Sequence, residues 1–98
     1  MPPSLPPHRA LLLSVETGQS TLEHEMRAEQ ASALGHAGRR VEAALAALTD
    51  GDEARLGDAA EAVWRYFIQR EACGLRDHRP VIRALGIPAR VLARLGAR

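Results

Sequence analysis

Lysine is missing from this chain of 98 residues, aromatic side chains are nearly so, and there is one cysteine. A lone thiol closes no internal disulfide and sits best in a reducing compartment, so the expected location is cytoplasmic. With one Trp, one Tyr and one Phe, the core must be assembled from Leu, Ala and Val, a set that suits helices better than sheets. No apolar run approaches the ~20 residues that span a bilayer. Leu11-Leu12-Leu13 follows a Pro-rich stretch and has neither the apolar region nor the cleavage site of a signal peptide. The chain also lacks a glycine-rich phosphate loop, a G-x-S-x-G elbow, and any C-x-x-C or H-x-x-x-H pair. These absences argue for a protein that is not an enzyme and needs no cofactor or metal.

What is present is unevenly spread. All 13 basic residues are arginine, a bias that a GC-rich coding sequence produces without any functional demand. Net charge is only +1, yet residues 1–74 carry seven Arg against eleven acidic side chains, whereas residues 75–98 carry six Arg against Asp77 alone. The basic C-terminal quarter should be drawn to the acidic body or to an acidic partner.

Four prolines, Pro2, Pro3, Pro6 and Pro7, predict an extended arm over residues 1–18, whose Leu11, Leu12, Leu13 and Val15 could dock on a neighbouring helix or subunit. Residues 19–98 are expected to form one helical domain. Ser20-Thr21-Leu22-Glu23 fits a capping box and marks the start of a long helix. Leu34, Val41 and Leu48 recur at sevens, with Gln30, Ala37 and Ala44 between them, as in a coiled-coil seam. Gly35 and Gly38 weaken its middle; one bent helix over 20–49 is preferred to two helices split at Gly35. Asp50-Gly51-Asp52 is a turn, and Asp52 caps a second long helix that runs to Cys73. Leu56, Ala59, Ala60, Val63, Trp64, Phe67 and Ile68 cover so wide an arc of it that cover on two sides is expected. Gly74 is placed to end that helix in the left-handed conformation. Asp77 should cap a short helix ending before Gly86, and Pro88 should open a last one with Val91, Leu92 and Leu95 as its apolar face.

The chain's only Trp, Tyr, Phe and Cys fall between residues 64 and 78, beside a cluster of polar side chains. Gln69, Arg70, Glu71, Cys73, Arg76, Asp77 and His78 are therefore the candidate ligand-binding residues. Arg70 and Arg76 could rim a pocket for a small anion, since guanidinium forks match carboxylates. Cys73, Asp77 and His78 are ligand types that metals use, but three do not close a structural zinc site. The competing and preferred reading makes the segment a structural joint. In it Cys73 packs as a small apolar residue, Asp77 caps a helix, and an internal Arg/Glu/Asp network sets the angle between the second helix and the tail. Residues 79–95 resemble a degenerate helix-turn-helix, with Arg90 and Arg94 toward the groove. The short preceding helix and the lack of Asn, Gln or Ser to read base edges weigh against nucleic acid.

At Trp64-x-x-Phe67-x-Gln69-Arg70-Glu71-x-Cys73-Gly74-Leu75-Arg76-Asp77-His78, followed by Ile82 and Gly86-Ile87-Pro88, the chain resembles a family of small proteobacterial proteins classed as a domain of unknown function. The resemblance runs from about Leu22 to Gly96 and takes in Glu25-x-x-x-Glu29-x-Ala31-x-Ala33-Leu34-Gly35; the Pro-rich arm lies outside it. It implies a helical fold and a bacterial cytoplasmic setting, and no catalytic role for any residue. The expected architecture is all-α: a long antiparallel helical hairpin plus two short C-terminal helices, completed as a dimeric helical bundle because two long helices leave an apolar face open. The expected partner is a second copy or another protein, with no membrane.

Overall fold

The computed structural model describes the backbone of residues 7–96 and the side chains of residues 20–96. Its regular elements are all helices: α1 (Pro7–Ala46), α2 (Glu53–Ala72), α3 (Arg79–Leu85) and α4 (Ala89–Leu92). The all-α class expected from composition is the class observed.

α1 runs unbroken through Gly35 and Gly38, one helix rather than two. Its start corrects the expectation: the arm predicted to be extended over residues 1–18 is helical from Pro7 onward. Pro6 and Pro7 stand before and at the first helical position, where a fixed φ and a missing N–H are tolerated, and no residue from His8 to Thr17 breaks a helix. Ser20 to Glu23 therefore lie inside α1 and do not begin it. The suggested docking of Leu11, Leu12, Leu13 and Val15 falls outside the described side chains.

The chain divides into two units, Met1–Ala31 and Ser32–Arg98. In the first, every described side chain, from Ser20 on, is exposed, Leu22 at 56% and Met26 at 53%.

The second unit holds the core. Val41, Val63 and Val91 are fully buried, joined by Ala59, Ala60, Tyr66, Phe67 and Ile87. The seam predicted at seven-residue spacing packs against it except at Gln30, which is exposed: Val41 lies at the centre with Leu34, Ala37 and Ala44 of α1, and Leu48 just beyond its end, partly buried around it. Small residues at the seam allow close approach: a Cβ on Gly38 would meet the Tyr66 ring at 3.6 Å. That is ordinary contact and no clash, so Gly38→Ala is expected to raise stability by about 1 kcal/mol through helix propensity alone. Thermal unfolding checks it, and a fall in Tm would show that the ring needs the gap.

The turn after α1 contains Gly51 and ends at Asp52, whose carboxylate accepts a hydrogen bond from the Arg55 backbone N–H at 3.1 Å, the predicted N-cap of α2. α2 buries Ala59, Ala60, Val63, Tyr66, Phe67 and Arg70, positions that recur at three and four and fall on one side. Trp64 and Ile68, on another side, remain 37% and 49% exposed. Among the described residues the buried side chains of α2 lie on one side.

Two helix ends close in the same way. Gly86, at φ 64°, donates to the Arg83 carbonyl at 3.3 Å while Ile87 donates to Ile82 at 3.0 Å, a Schellman turn that points Ile87 into the core. Pro88 then stands extended ahead of α4, which is held against α2 by Val91. Arg90 reaches Asp50 at 2.7 Å and Arg94 reaches Glu53 at 2.6 Å. The basic tail is thus drawn to acidic groups of the body. Each pair is exposed enough that it stabilises by less than about 1 kcal/mol, and the pairs orient α4 more than they hold it.

Candidate functional site

The last turn of α2 is joined to the residues that open α3 by backbone bonds around Gly74 and by side-chain contacts of Phe67, Arg70 and Glu71 with Asp77 and His78. Gly74, at φ 85°, donates to the Glu71 carbonyl at 2.9 Å, and Leu75 donates back to the Arg70 carbonyl at 2.9 Å, so the chain reverses as the sequence predicted. The Cys73 N–H completes the end with bonds to Arg70 and Gln69 at 2.9 and 3.2 Å. Leu75 remains 42% exposed; the backbone folds back here without burying the side chain.

This reversal carries His78 onto the inner face of α2. Its ring stacks on Phe67, centroids 4.1 Å apart and planes 3° from parallel. Arg70, only 9% exposed, donates from Nε to His78 Nδ1 at 3.1 Å and from Nη2 to the Asp77 carbonyl at 2.9 Å. Because Nδ1 accepts, the ring proton belongs on Nε2, which faces Glu71 Oε2 at 3.4 Å. The Arg70 guanidinium also lies 5.9 Å from the Tyr66 ring centroid, within cation–π range. A buried cation is tolerated here because strong acceptors meet it on two nitrogens.

Asp77 was expected to cap α3. The residue at the cap position is His78, and no side chain bonds there. Asp77 instead grips the next residue but one: Oδ1 accepts from the Arg79 backbone N–H at 3.1 Å and from its Nε at 2.9 Å, and Oδ2 accepts from Nη2 at 3.0 Å. The displacement follows from His78 taking the helix geometry once it is stacked on Phe67. Hydrogen bonds from the Arg79 side chain, then from its backbone, lower the Asp77 carboxyl from 3.8 to about 2, and Asp77 in turn raises Arg79. A carboxylate more acidic in the folded state contributes stability above its unfolded pKa and loses it as pH falls through the folded one. Folded protein should therefore lose stability between about pH 3.8 and about pH 2 through this group, and Asp77→Asn should flatten that part of the curve. Urea midpoints of the two proteins at pH 5, 3.5 and 2.5 test this; parallel curves would assign the acid loss to other carboxylates.

A family model described as a family of unknown function, DUF6665, matches residues 10–98. The chain belongs to the DUF6665 family. The match reaches further toward the N-terminus than the resemblance read from the sequence, which left out the residues before Leu22. No curated protein and no solved structure matches the chain.

Of the candidate residues in this DUF6665 chain, Arg70, Asp77 and His78 are brought together, with Glu71 at the edge. Cys73 is half-buried with a free thiol, and Gln69 is partly buried. Arg76 is exposed and forms no ion pair among the described residues. Among the described residues no three His, Cys, Asp or Glu side chains stand close enough together to hold a metal ion, and no helix is long and apolar enough to cross a membrane. α4, four residues long, is too short to lie in a major groove as a recognition helix, and its Arg90 is bonded to Asp50. The Phe67–His78 stack and the Arg70–His78 bond were not foreseen. Their one sequence signal was Phe67 and Arg70 three apart on the face of α2 that also carries Val63.

Proposed function

We propose that this protein is a non-enzymatic interaction or assembly module that works as a homodimer, its two long helices forming an antiparallel hairpin that a second copy completes as a helical bundle. The reading places it in the bacterial cytoplasm, consistent with its lone thiol. One observation carries it: in a chain this small, five large apolar side chains, Leu22, Met26, Trp64, Ile68 and Leu75, are at least 37% exposed. Leu22 with Met26 on α1 and Trp64 with Ile68 on α2 each stand four residues apart, so each helix presents its own pair of exposed apolar side chains, the kind of surface that contact covers. The joint at residues 64–78 then sets the direction in which the tail leaves α2. Light scattering after gel filtration at micromolar concentration tests the reading. A mass near twice 10.6 kDa is expected, and a stable monomer would overturn it.

A pocket for a small anion or a metal at residues 69–78 is the weaker reading. Arg70, its central cation, already gives Nε and Nη2 to His78 and Asp77. Only Arg76 supports it, and a thermal-shift titration with phosphate, citrate and nucleotides would reveal it as stabilisation that saturates.

A further inference from the structure

We infer that the joint between α2 and α3 is a pH-sensitive latch, closed while the His78 imidazole is neutral and released when acid protonates its second nitrogen. The latch goes beyond the assembly reading and does not depend on it. It is a hydrogen bond whose direction cannot be reversed. Arg70 Nε donates to His78 Nδ1 at 3.1 Å, and a guanidinium has only donors to offer. A cationic imidazole is a donor at both nitrogens. Protonation therefore sets N–H against N–H and brings two positive charges together, at a guanidinium 9% exposed and an imidazole 17% exposed, where solvent screens them little.

The other charged and titratable groups around the ring do not cancel this conflict. From α2, Glu71 Oε2 stands 3.4 Å from Nε2 and favours the cation. Its carboxylate is half exposed, so solvent weakens the attraction, and it faces an Nε2–H in the neutral ring as well. Tyr66 meets Arg70 with the face of its ring. On the segment that carries His78, both oxygens of Asp77 are engaged by Arg79, and Arg83 of α3 acts on Asp77 as a further cation. The Phe67 face takes a neutral or a cationic ring and so does not decide. Arg70 thus sets the sign. Once the ring turns away, Arg70 keeps only the Asp77 carbonyl, and the backbone bond from Leu75 to Arg70 is left to hold the reversal. α4 retains its own ties through Val91, Arg90 and Arg94, so release loosens α3 while the core stays folded.

Urea unfolding of the full chain at pH 7.5, 6.5 and 5.5, at one protein concentration, tests the latch in a range well above that in which Asp77 titrates. A free imidazole titrates near pH ~6.5, and a fold that admits only the neutral ring loses stability below that value. The unfolding equilibrium constant should rise about tenfold between pH 7.5 and 5.5. In His78→Asn, whose amide oxygen accepts from Arg70 without titrating, it should change by less than about twofold. His8, His24 and His36 are common to both proteins and drop out of the comparison. A parent whose stability is flat or rises with acid would show that Glu71 governs the ring, and an equal fall in His78→Asn would place the effect elsewhere; either overturns the latch. Proton NMR of the parent gives a local readout that needs no variant. Ring current from Phe67 shifts the His78 ring protons upfield in the closed joint, and that shift should be lost on acidification while the Val41 and Val63 methyl signals stay native. Ring protons that titrate and keep the shift overturn the release.

Discussion

Phe67→Ala is expected to destabilise the fold by about 3–5 kcal/mol, the range for removing a buried aromatic ring. For a domain of this size that corresponds to a fall in Tm of more than about 12 °C. The ring is 8% exposed, lies in the core with Val63 and Ile87, and carries His78 on its face. Two losses therefore coincide. One is the apolar area and the cavity left behind. The other is the surface against which His78 is held, and with it the acceptor that Arg70 uses. Phe67→Leu separates them, since it keeps most of the volume but cannot stack, and it should cost about 1–2 kcal/mol. Because the Tm of the proposed dimer would depend on concentration, the variants must be compared at equal protein concentration. A Phe67→Ala protein that melts within about 4 °C of the parent would mean that the core closes over the gap, and the joint would then depend on the ring far less than its contacts suggest.

The residues that could be read ahead of the structure were those whose effect is local. Asp52 two residues after a turn aspartate, Gly74 after the last apolar residue of α2, and Gly86 before Ile-Pro each act through bonds to backbone groups within five residues, and each does what the pattern predicted. The seam Leu34–Val41–Leu48 was legible for the same reason, since period alone places those side chains on one face. The start of α1 was misread because proline breaks a helix only in its interior. At the first helical position, where Pro7 stands, its fixed φ and missing N–H favour a helix. Arg70 with His78, Arg90 with Asp50 and Arg94 with Glu53 were out of reach. They join residues 8 to 41 positions apart, and nothing in the sequence says which of thirteen arginines meets which acceptor. The wide apolar arc of α2 predicts cover on two sides; among the described residues its buried side chains lie on one, with Ile68 49% exposed.

Replacing Arg70 with methionine should destabilise by about 2–4 kcal/mol, because it keeps a flexible apolar stem while withdrawing two charged hydrogen bonds from partly buried acceptors. His78 Nδ1 and the Asp77 carbonyl would both lose their donor. Arg70→Lys keeps the charge, but a single ammonium cannot serve two acceptors with the geometry of a planar fork, so it should recover less than half of the loss. A cycle with His78→Ala distinguishes a joint from simple packing. If Arg70 acts through the imidazole, the double variant should be less destabilised than the sum of the singles by about 1 kcal/mol or more, since each single already removes the shared bond. Additive effects would show that Arg70 is held by its stem and the Tyr66 ring, and that the bond to His78 is incidental. The cycle bears on function too. Where the joint directs the tail, Arg70→Met should weaken the proposed dimer at temperatures well below its own unfolding, because the chain after Gly74 follows the reversal that Arg70 ties together. If the variant unfolds earlier but dimerises with unchanged affinity while folded, the segment stabilises the protomer and has no part in directing assembly.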